Sequence, residues 1–385
     1  MNKILAAIRE FLTPIKPLPA GTYHSQSETT RLHLRIENDG QGLLIINAAT
    51  VLHLNQTATE YAYHFIEGKT PQEAGLAISQ RYSITNQQAQ KDYQELIERI
   101  ETLITTPDLD PVTFLEFERE SPYAGAMSAP YRLDCALTYH LPDGSAPTLA
   151  PTRRVDRELS TEEWKTIIDK ASQAGIPHLI FTGGEPTLRE DLAELITHAE
   201  KNNQVTGLLT DGLRLAEKAY LDELLQSGLD HLLITFTPNN EEVWQALQLI
   251  LPEDLFTTVH LTITPDIADE IPNTLTRLAE MGTNAISLSV TKKDNWNMNE
   301  ALEEAQNHTA ELGLPLKWDL PVPYSAHNPV ALELEEAEKH QLPQGAGKAW
   351  LYVEPDGDVL PTQGINQVLG NLLRQPWQEI WDEVR

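Results

Sequence analysis

The chain has 385 residues, 41% of them hydrophobic, with 57 acidic against 28 basic side chains, a net charge of −29 and one cysteine. That length holds two or three domains, and that charge is repelled by nucleic acid and by anionic membranes. A single cysteine excludes a disulfide framework and fits a reducing compartment, and no apolar run is long enough to span a bilayer, so a cytoplasmic protein is expected. Residues 1–19 read as a short amphipathic helix. Its apolar stretch is too short for a secretion signal and is interrupted by Arg9 and Glu10.

Residues 20–106 form a first unit. LHLRIENDGQGLLIINAATVLHLN alternates apolar and polar residues around a turn at Asn38-Asp39-Gly40, which predicts short strands. Thr57–Glu67 carries a helical pattern. Thr70-Pro71 opens a second helix, with Glu73 placed to complete a capping box. A third helix is predicted over Asn86–Leu103, with Asp92, Glu95, Glu98 and Glu101 along it. Strands followed by three helices make a winged-helix-like α+β module, and the acidic third helix excludes a DNA-binding wing. Residues 107–129 are a linker marked by Pro107, Pro111, Pro122 and Gly125.

From Pro130 the pattern changes. RLDCALTY, HLIFTGG, QVTGLLTDG, HLLITFT, TTVHLTIT and AISLSV read as six strands. The helical stretches Glu162–Ala174, Arg189–Asn202, Ala219–Ser227, Glu241–Ile250 and Ile271–Met281 lie between them. Regular alternation predicts parallel β/α units, here a partial (β/α)6 TIM-like barrel over 130–320, with ligand sites at the C-terminal strand ends. In the remainder, 321–385, YVEPDGDVLP reads as a β-hairpin around Pro355-Asp356-Gly357. The acidic segments, PNNEEVW and LELEEAEKH with its Glu333–Glu338 run, read as solvated helix faces. His53, His64, His178, His198, His231, His260, His308 and His327 are scattered without metal-ligand spacing, and His178, His231 and His260 read as structural.

Two stretches carry chemistry. After the first barrel strand comes a loop of defined length, and after the second comes Gly183-Gly184-Glu185-Pro186. Together they resemble the radical SAM family, in which the first strand ends in CxxxCxxC holding a [4Fe-4S] cluster and the Gly-Gly-Glu-Pro turn meets the α-amino group of S-adenosylmethionine (SAM). The family spacing places the three cysteine positions on Leu141, Ser145 and Thr148, none of which supplies a thiolate. Cys135 lies inside an apolar strand and reads as a small buried residue, and His140 as a surface histidine beside the lost site. The resemblance assigns Gly183, Gly184, Glu185, Pro186, Asp211 and Gly212 to SAM contact. The same turn is equally accounted for as a strand-to-helix connection that the fold requires. The tail resembles the SPASM or twitch extension, with Thr362 at its cysteine position. Val51-Leu52-His53-Leu54-Asn55, Thr57-Ala58, Glu67-Gly68-Lys69-Thr70 and Arg81-Tyr82 resemble the PqqD-like family, whose members bind peptides as an added strand.

These readings imply a cluster-less homologue with no [4Fe-4S], weak SAM binding and no catalytic residues. Its expected role is non-catalytic: binding a peptide substrate or pairing with an active radical SAM paralogue. The alternative is a SAM-binding enzyme of non-radical type that uses the retained turn.

Overall fold

The computed structural model describes residues 15–27, 30–48, 50–106, 127–143, 155, 157–290, 298–317, 345–365 and 367–384. Outside them lie most of the expected N-terminal helix, most of the linker, Ser145, Thr148, His327 and the LELEEAEKH segment. The chain divides into two units, Met1–Ser128 and Ala129–Arg385.

The first unit is an antiparallel meander followed by three helices. Strands β1 (Gly21–Gln26), β2 (Arg31–Ile36), β3 (Gly42–Ile46) and β4 (Thr50–Leu54) pair in chain order. Sequence patterning misses β1, because GTYHSQ alternates between half-buried and exposed positions and carries no apolar run. Period-two alternation puts Leu32, Leu34, Ile36, Leu44, Ile46, Leu52 and Leu54 on one face, where they form a core with Ala62, Ile100 and Leu103. Helix α1 (Gln56–Ile66) starts at Asn55, whose side chain accepts from the Ala58 amide. Helix α2 (Pro71–Arg81) has the Thr70–Glu73 capping box, and α3 (Asn86–Thr105) is capped by Thr85. Buried Glu60 of α1 accepts two bonds from Arg81, at 2.6 and 2.8 Å, and one from the Tyr82 hydroxyl at 2.7 Å, tying α2 to α1. β3 is paired on both sides, and the sheet ends at β1 and β4.

The second unit is built on nine strands in the order β10-β9-β8-β7-β6-β5-β11-β12-β13. β5 (Arg132–Thr138), β6 (His178–Gly183), β7 (Val205–Thr210), β8 (His231–Phe236), β9 (Phe256–Ile263) and β10 (Ala285–Val290) are all parallel. Helices α4 (Thr161–Gln173), α5 (Leu192–Lys201), α6 (Lys218–Gln226), α7 (Glu241–Ile250) and α8 (Ile271–Glu280) connect them. The helix expected from Arg189 begins only at Leu192, because Pro186–Leu188 first make a 3-10 turn. A further helix, α9 (Met298–Glu311), follows β10 and escapes the sequence reading. The C-terminal segment joins the same sheet. β11 (Trp350–Val353) lies parallel to β5, β12 (Asp358–Leu360) turns back antiparallel to it, β13 (Gly370–Asn371) pairs with β12, and α10 (Trp377–Val384) ends the chain. Lys170 of α4 donates to the carbonyls of Leu372, Leu373 and Gln375 at 2.6, 3.3 and 3.2 Å.

The two faces of this sheet differ in chemistry. One holds Leu133, Cys135, Leu137, Leu179, Phe181, Leu208, Leu232, Ile234, Val259 and Leu261, all buried. This apolar face matches the buried stripes of the connecting helices, Trp164, Ile167, Ile168, Leu195 and Ile196 among them. The other face is mixed, with a buried apolar cluster of Ile180, Leu209 and Leu233 beside charged and polar groups. Arg132 pairs with Asp134 at 2.7 Å, and His178 Nε2 lies 2.7 Å from His231 Nε2 across Gly207 of β7. A Cβ on Gly207 would stand 2.2 Å from the His231 ring, so glycine here makes room for the pair. His260 is held by Ser287 at 2.9 Å and Ser289 at 3.1 Å. The three histidines thus have structural partners, as their positions in strands suggest.

Burial lowers the pKa of all three: His231 to about 4, with a further push from Arg132; His260 to about 4; and His178 well below its ordinary value, with His231 and Arg132 adding to the effect. Folded values below unfolded ones mean that the unfolded chain binds more protons. The neutral-histidine contribution is complete above about pH 6.5 and is lost as pH falls toward 4, on the order of 3 kcal/mol for each of His231 and His260. Urea unfolding at stepped pH is expected to show this loss, and His260→Asn is expected to reduce it by that residue's share.

Candidate functional site

The sequence motifs converge where β5, β6 and β7 end. A register shift between Ala136 and Thr138 brings Thr138 opposite Gly183. The pairing then runs past the strand: the Gly184 amide donates to the Thr138 carbonyl and the Glu185 amide to the His140 carbonyl, both at 2.8 Å. A Cβ on Gly183 would lie 2.0 Å from the Thr138 oxygen, and one on Gly184 would lie 2.1 Å from the His140 oxygen. Gly183 also has φ +136. Both glycines are therefore required by the protein's own backbone. The close approach they permit is to the end of β5, a different partner from the ligand that the sequence motif suggests.

Glu185 is 2% exposed. Its Oε1 accepts from the Thr187 amide (3.0 Å), the Thr187 hydroxyl (2.6 Å) and the Thr210 hydroxyl (2.8 Å). Its Oε2 accepts from the Asp211 amide at 2.7 Å. The carboxyl thus ties the turn after β6 to the turn after β7. Gly212, with φ +79, lets that second turn form, and the Leu213 amide donates to Asp211 Oδ1 at 2.9 Å. Burial first, and then the neighbouring Asp211, push Glu185 up to about 7. Burial likewise raises Asp211. Both carboxyls are thus pushed toward the protonated form. Arg214 donates to the Thr187 carbonyl and lies over the Tyr220 ring at 4.0 Å, fixing the outer side of the turn.

The site thus brings together Gly183, Gly184, Glu185, Pro186, Asp211 and Gly212. Thr187 and Thr210, the donors that hold Glu185, are missed by sequence reasoning. Thr187 directly follows the motif, and the hydroxyl at the end of the third strand was the available signal. On the polar face of β6, Thr182 is 1% exposed and its hydroxyl has no partner among the described residues.

The donor set does not fit a thiolate-held cluster. Leu141 has no donor atom, and Ser145 and Thr148 lie outside the described residues. The single cysteine, Cys135, is fully buried on the apolar face, opposite in alternation to Asp134, with its thiol pushed strongly up by burial. In the tail, Thr362 accepts from the Trp350 indole at 3.2 Å.

Comparison with known proteins fits this geometry. Residues 135–254 match the model of the Radical SAM superfamily. The chain is 25% identical over 240 residues to a PqqA peptide cyclase of Granulibacter bethesdensis, covering 56% of this chain and 63% of that protein. It is 27% identical over 292 residues to a PqqA peptide cyclase of Streptomyces rochei, covering 66% and 76%. The alignments thus span 63% of the first relative, less than two thirds of its length, and 76% of the second. Among solved structures, Streptococcus suis SuiB bound to S-adenosylmethionine superposes with a TM-score of 0.58 at 15% identity, covering 93% of this chain and 88% of that one. SuiB bound to its precursor peptide SuiA gives 0.58 at 14% identity. At such identities the likeness shows the fold. The chain carries a radical SAM domain and is homologous to peptide-modifying radical SAM proteins. The expectation of a non-catalytic chain is corrected, because the relatives that it matches are named as enzymes.

No helix among the described residues is long and apolar enough to cross a membrane.

The glycine geometry has a direct consequence. Gly183→Ala and Gly184→Ala are each expected to cost more than about 3 kcal/mol in ligand-free urea unfolding, since a backbone carbonyl occupies the place of the new methyl group. Gly212→Ala, whose Cβ would meet only an Ile234 methyl at 3.1 Å, is expected to cost about 1–2 kcal/mol, mostly from its positive φ.

Proposed function

We propose that the chain is a peptide-modifying enzyme that binds S-adenosylmethionine at the ends of β5, β6 and β7 and acts by polar group transfer, without an iron–sulfur cluster on its own side chains. The observation that carries this reading is the Glu185 carboxyl. Three donors crowd Oε1, whereas Oε2 takes one, leaving an acceptor position for a ligand ammonium. Nearby Thr182 offers a buried hydroxyl in want of a partner. The homology to peptide cyclases supports a peptide as the acceptor substrate. Reductive cleavage of SAM needs an electron donor, and one buried thiol cannot assemble a cluster. Bound without iron, SAM supplies an electrophilic carbon on sulfur.

The same geometry sets the pH dependence. A ligand ammonium prefers ionised Glu185, so binding below about pH 7 must displace a proton. Affinity for SAM in calorimetry is expected to rise as pH increases through about 7 and to fall again above about 8, as the α-amino group loses its charge. Weak binding, tens of micromolar on a rough scale, is expected because the iron anchor is missing. Glu185→Gln is expected to abolish the rise. Tight, pH-independent binding, or reconstitution of about four irons per chain, would overturn the proposal.

In the first unit, β4 is an edge strand, paired with β3 on one side and with no strand on its other side among the described residues. An extended peptide can pair along it, the binding mode of the PqqD-like family. The third helix exposes Glu95, Glu98 and Glu101, which favours a basic peptide. A lysine-rich test peptide is expected to bind the full chain in fluorescence titration and to weaken severalfold between 50 and 300 mM salt, with about the same loss from the pair Glu95→Lys and Glu98→Lys. Binding indifferent to salt would remove the acidic helix from the recognition surface.

A further inference from the structure

The mouth of the site also holds a histidine paired with a carboxylate. His140 follows β5 and is bonded through its backbone on both sides: its amide donates to the Thr138 hydroxyl at 3.0 Å, and its carbonyl accepts from Glu185 at 2.8 Å. The His140 backbone is therefore fixed next to the Gly-Gly-Glu-Pro turn. Its Nε2 lies 3.7 Å from Glu158 Oε1, with the His140 side chain 59% exposed and that of Glu158 33% exposed. Glu158 is itself held. The Thr138 hydroxyl donates to Oε1, and the Arg189 guanidinium stands 4.0 Å from Oε2. Arg189 in turn is anchored by Asp191 at 2.6 Å and donates to the carbonyls of Leu137 and Leu159 at 3.3 and 3.0 Å. The carboxylate is thus braced against the β5 end behind the ring, and Nδ1 of His140 has no partner among the described residues.

We propose that His140 and Glu158 form a proton-transfer pair for the group transfer advanced above, with His140 as the proton acceptor and Glu158 as its positioning residue; this rests on the reading of the neighbouring turn as a SAM site. A carboxylate facing Nε2 favours the tautomer with hydrogen on that nitrogen and leaves the Nδ1 lone pair free to act as base. In the step, an amine, hydroxyl or thiol of the peptide attacks the methyl carbon of the sulfonium. The new bond to carbon forms as the carbon–sulfur bond breaks, and that electron pair stays on sulfur. The proton of the attacking group passes to His140 Nδ1 and then to water. No external oxidant or reductant is needed.

The experiment uses the full chain, with histidine NMR, calorimetry for SAM, and transfer of labelled methyl from SAM to a short synthetic peptide containing Lys, Ser and Cys. Saturating SAM is expected to move the His140 ring resonances, and Glu158→Gln is expected to change their positions in the free chain. His140→Gln is expected to slow transfer at least about a hundredfold with SAM affinity unchanged, and Glu158→Gln about tenfold with the pH–rate profile displaced to lower pH. If SAM does not bind the wild type, the proposed function falls and this role falls with it, whatever the NMR shows. If SAM binds but the wild type transfers no methyl group, the group-transfer reading falls together with the pair; if His140→Gln transfers as fast as wild type, or the His140 resonances ignore both Glu158→Gln and SAM, only the pair is refuted.

Discussion

The mouth of the second unit depends on two backbone segments lying closer than side chains would allow. Gly183 and Gly184 fit beneath the carbonyl oxygens of Thr138 and His140, which extends the pairing of β5 and β6 beyond both strands. That contact places Glu185, and Glu185 collects Thr187, Thr210 and the Asp211 amide, so the third strand end is set by the second. It also fixes His140, whose ring then meets Glu158 and, through it, the start of α4. A preorganised cluster of polar groups results from one steric requirement, and each additional hydrogen bond narrows the positions open to the next.

This explains how a motif can persist when the chemistry associated with it changes. The glycines are needed whether or not a ligand arrives, because the alternative is a methyl group inside a carbonyl oxygen. The glutamate is different. A fully buried carboxyl pushed up to about 7 is costly to keep for a turn alone. A threonine or glutamine would bridge Thr210 and Asp211 with less desolvation. The carboxyl, with its unused acceptor position, therefore supports a ligand more strongly than the glycines beside it do.

Much of the architecture was legible in the residues. Six apolar strand patterns alternating with helical ones specify parallel β/α units, and the Thr70–Glu73 box and Pro71 mark the start of α2 to the residue. The polar first strand, Gly21–Gln26, was invisible because its partners supply the hydrophobic surface. Helix α9 was missed because MNEALEEAQNHTAE is largely polar. The attachment of Trp350–Val353 to β5 is a pairing between residues more than 200 positions apart, and local patterning carries no information on such contacts. At the site, the motif residues were visible, but the groups that tune them were not. Thr187, Thr210, Glu158 and Arg189 are ordinary residues until the fold brings them within reach of Glu185 and His140.

The loss of thiolates and the gain of acid–base groups belong to the same few ångströms of backbone. The end of β5 is where the family resemblance places a redox-active cluster, and Cys135 cannot be recruited for it. It sits on the apolar face with its thiol driven strongly toward the neutral form, and reaching the polar face would require a one-residue slip of the whole strand. That slip would carry Leu133 and Leu137 to the side now held by the Arg132–Asp134 ion pair and turn that pair toward the apolar helix faces. The polar groups at this mouth are instead the buried Glu185 carboxyl, raised to about 7 by burial and by Asp211, and the His140–Glu158 pair proposed above to move a proton.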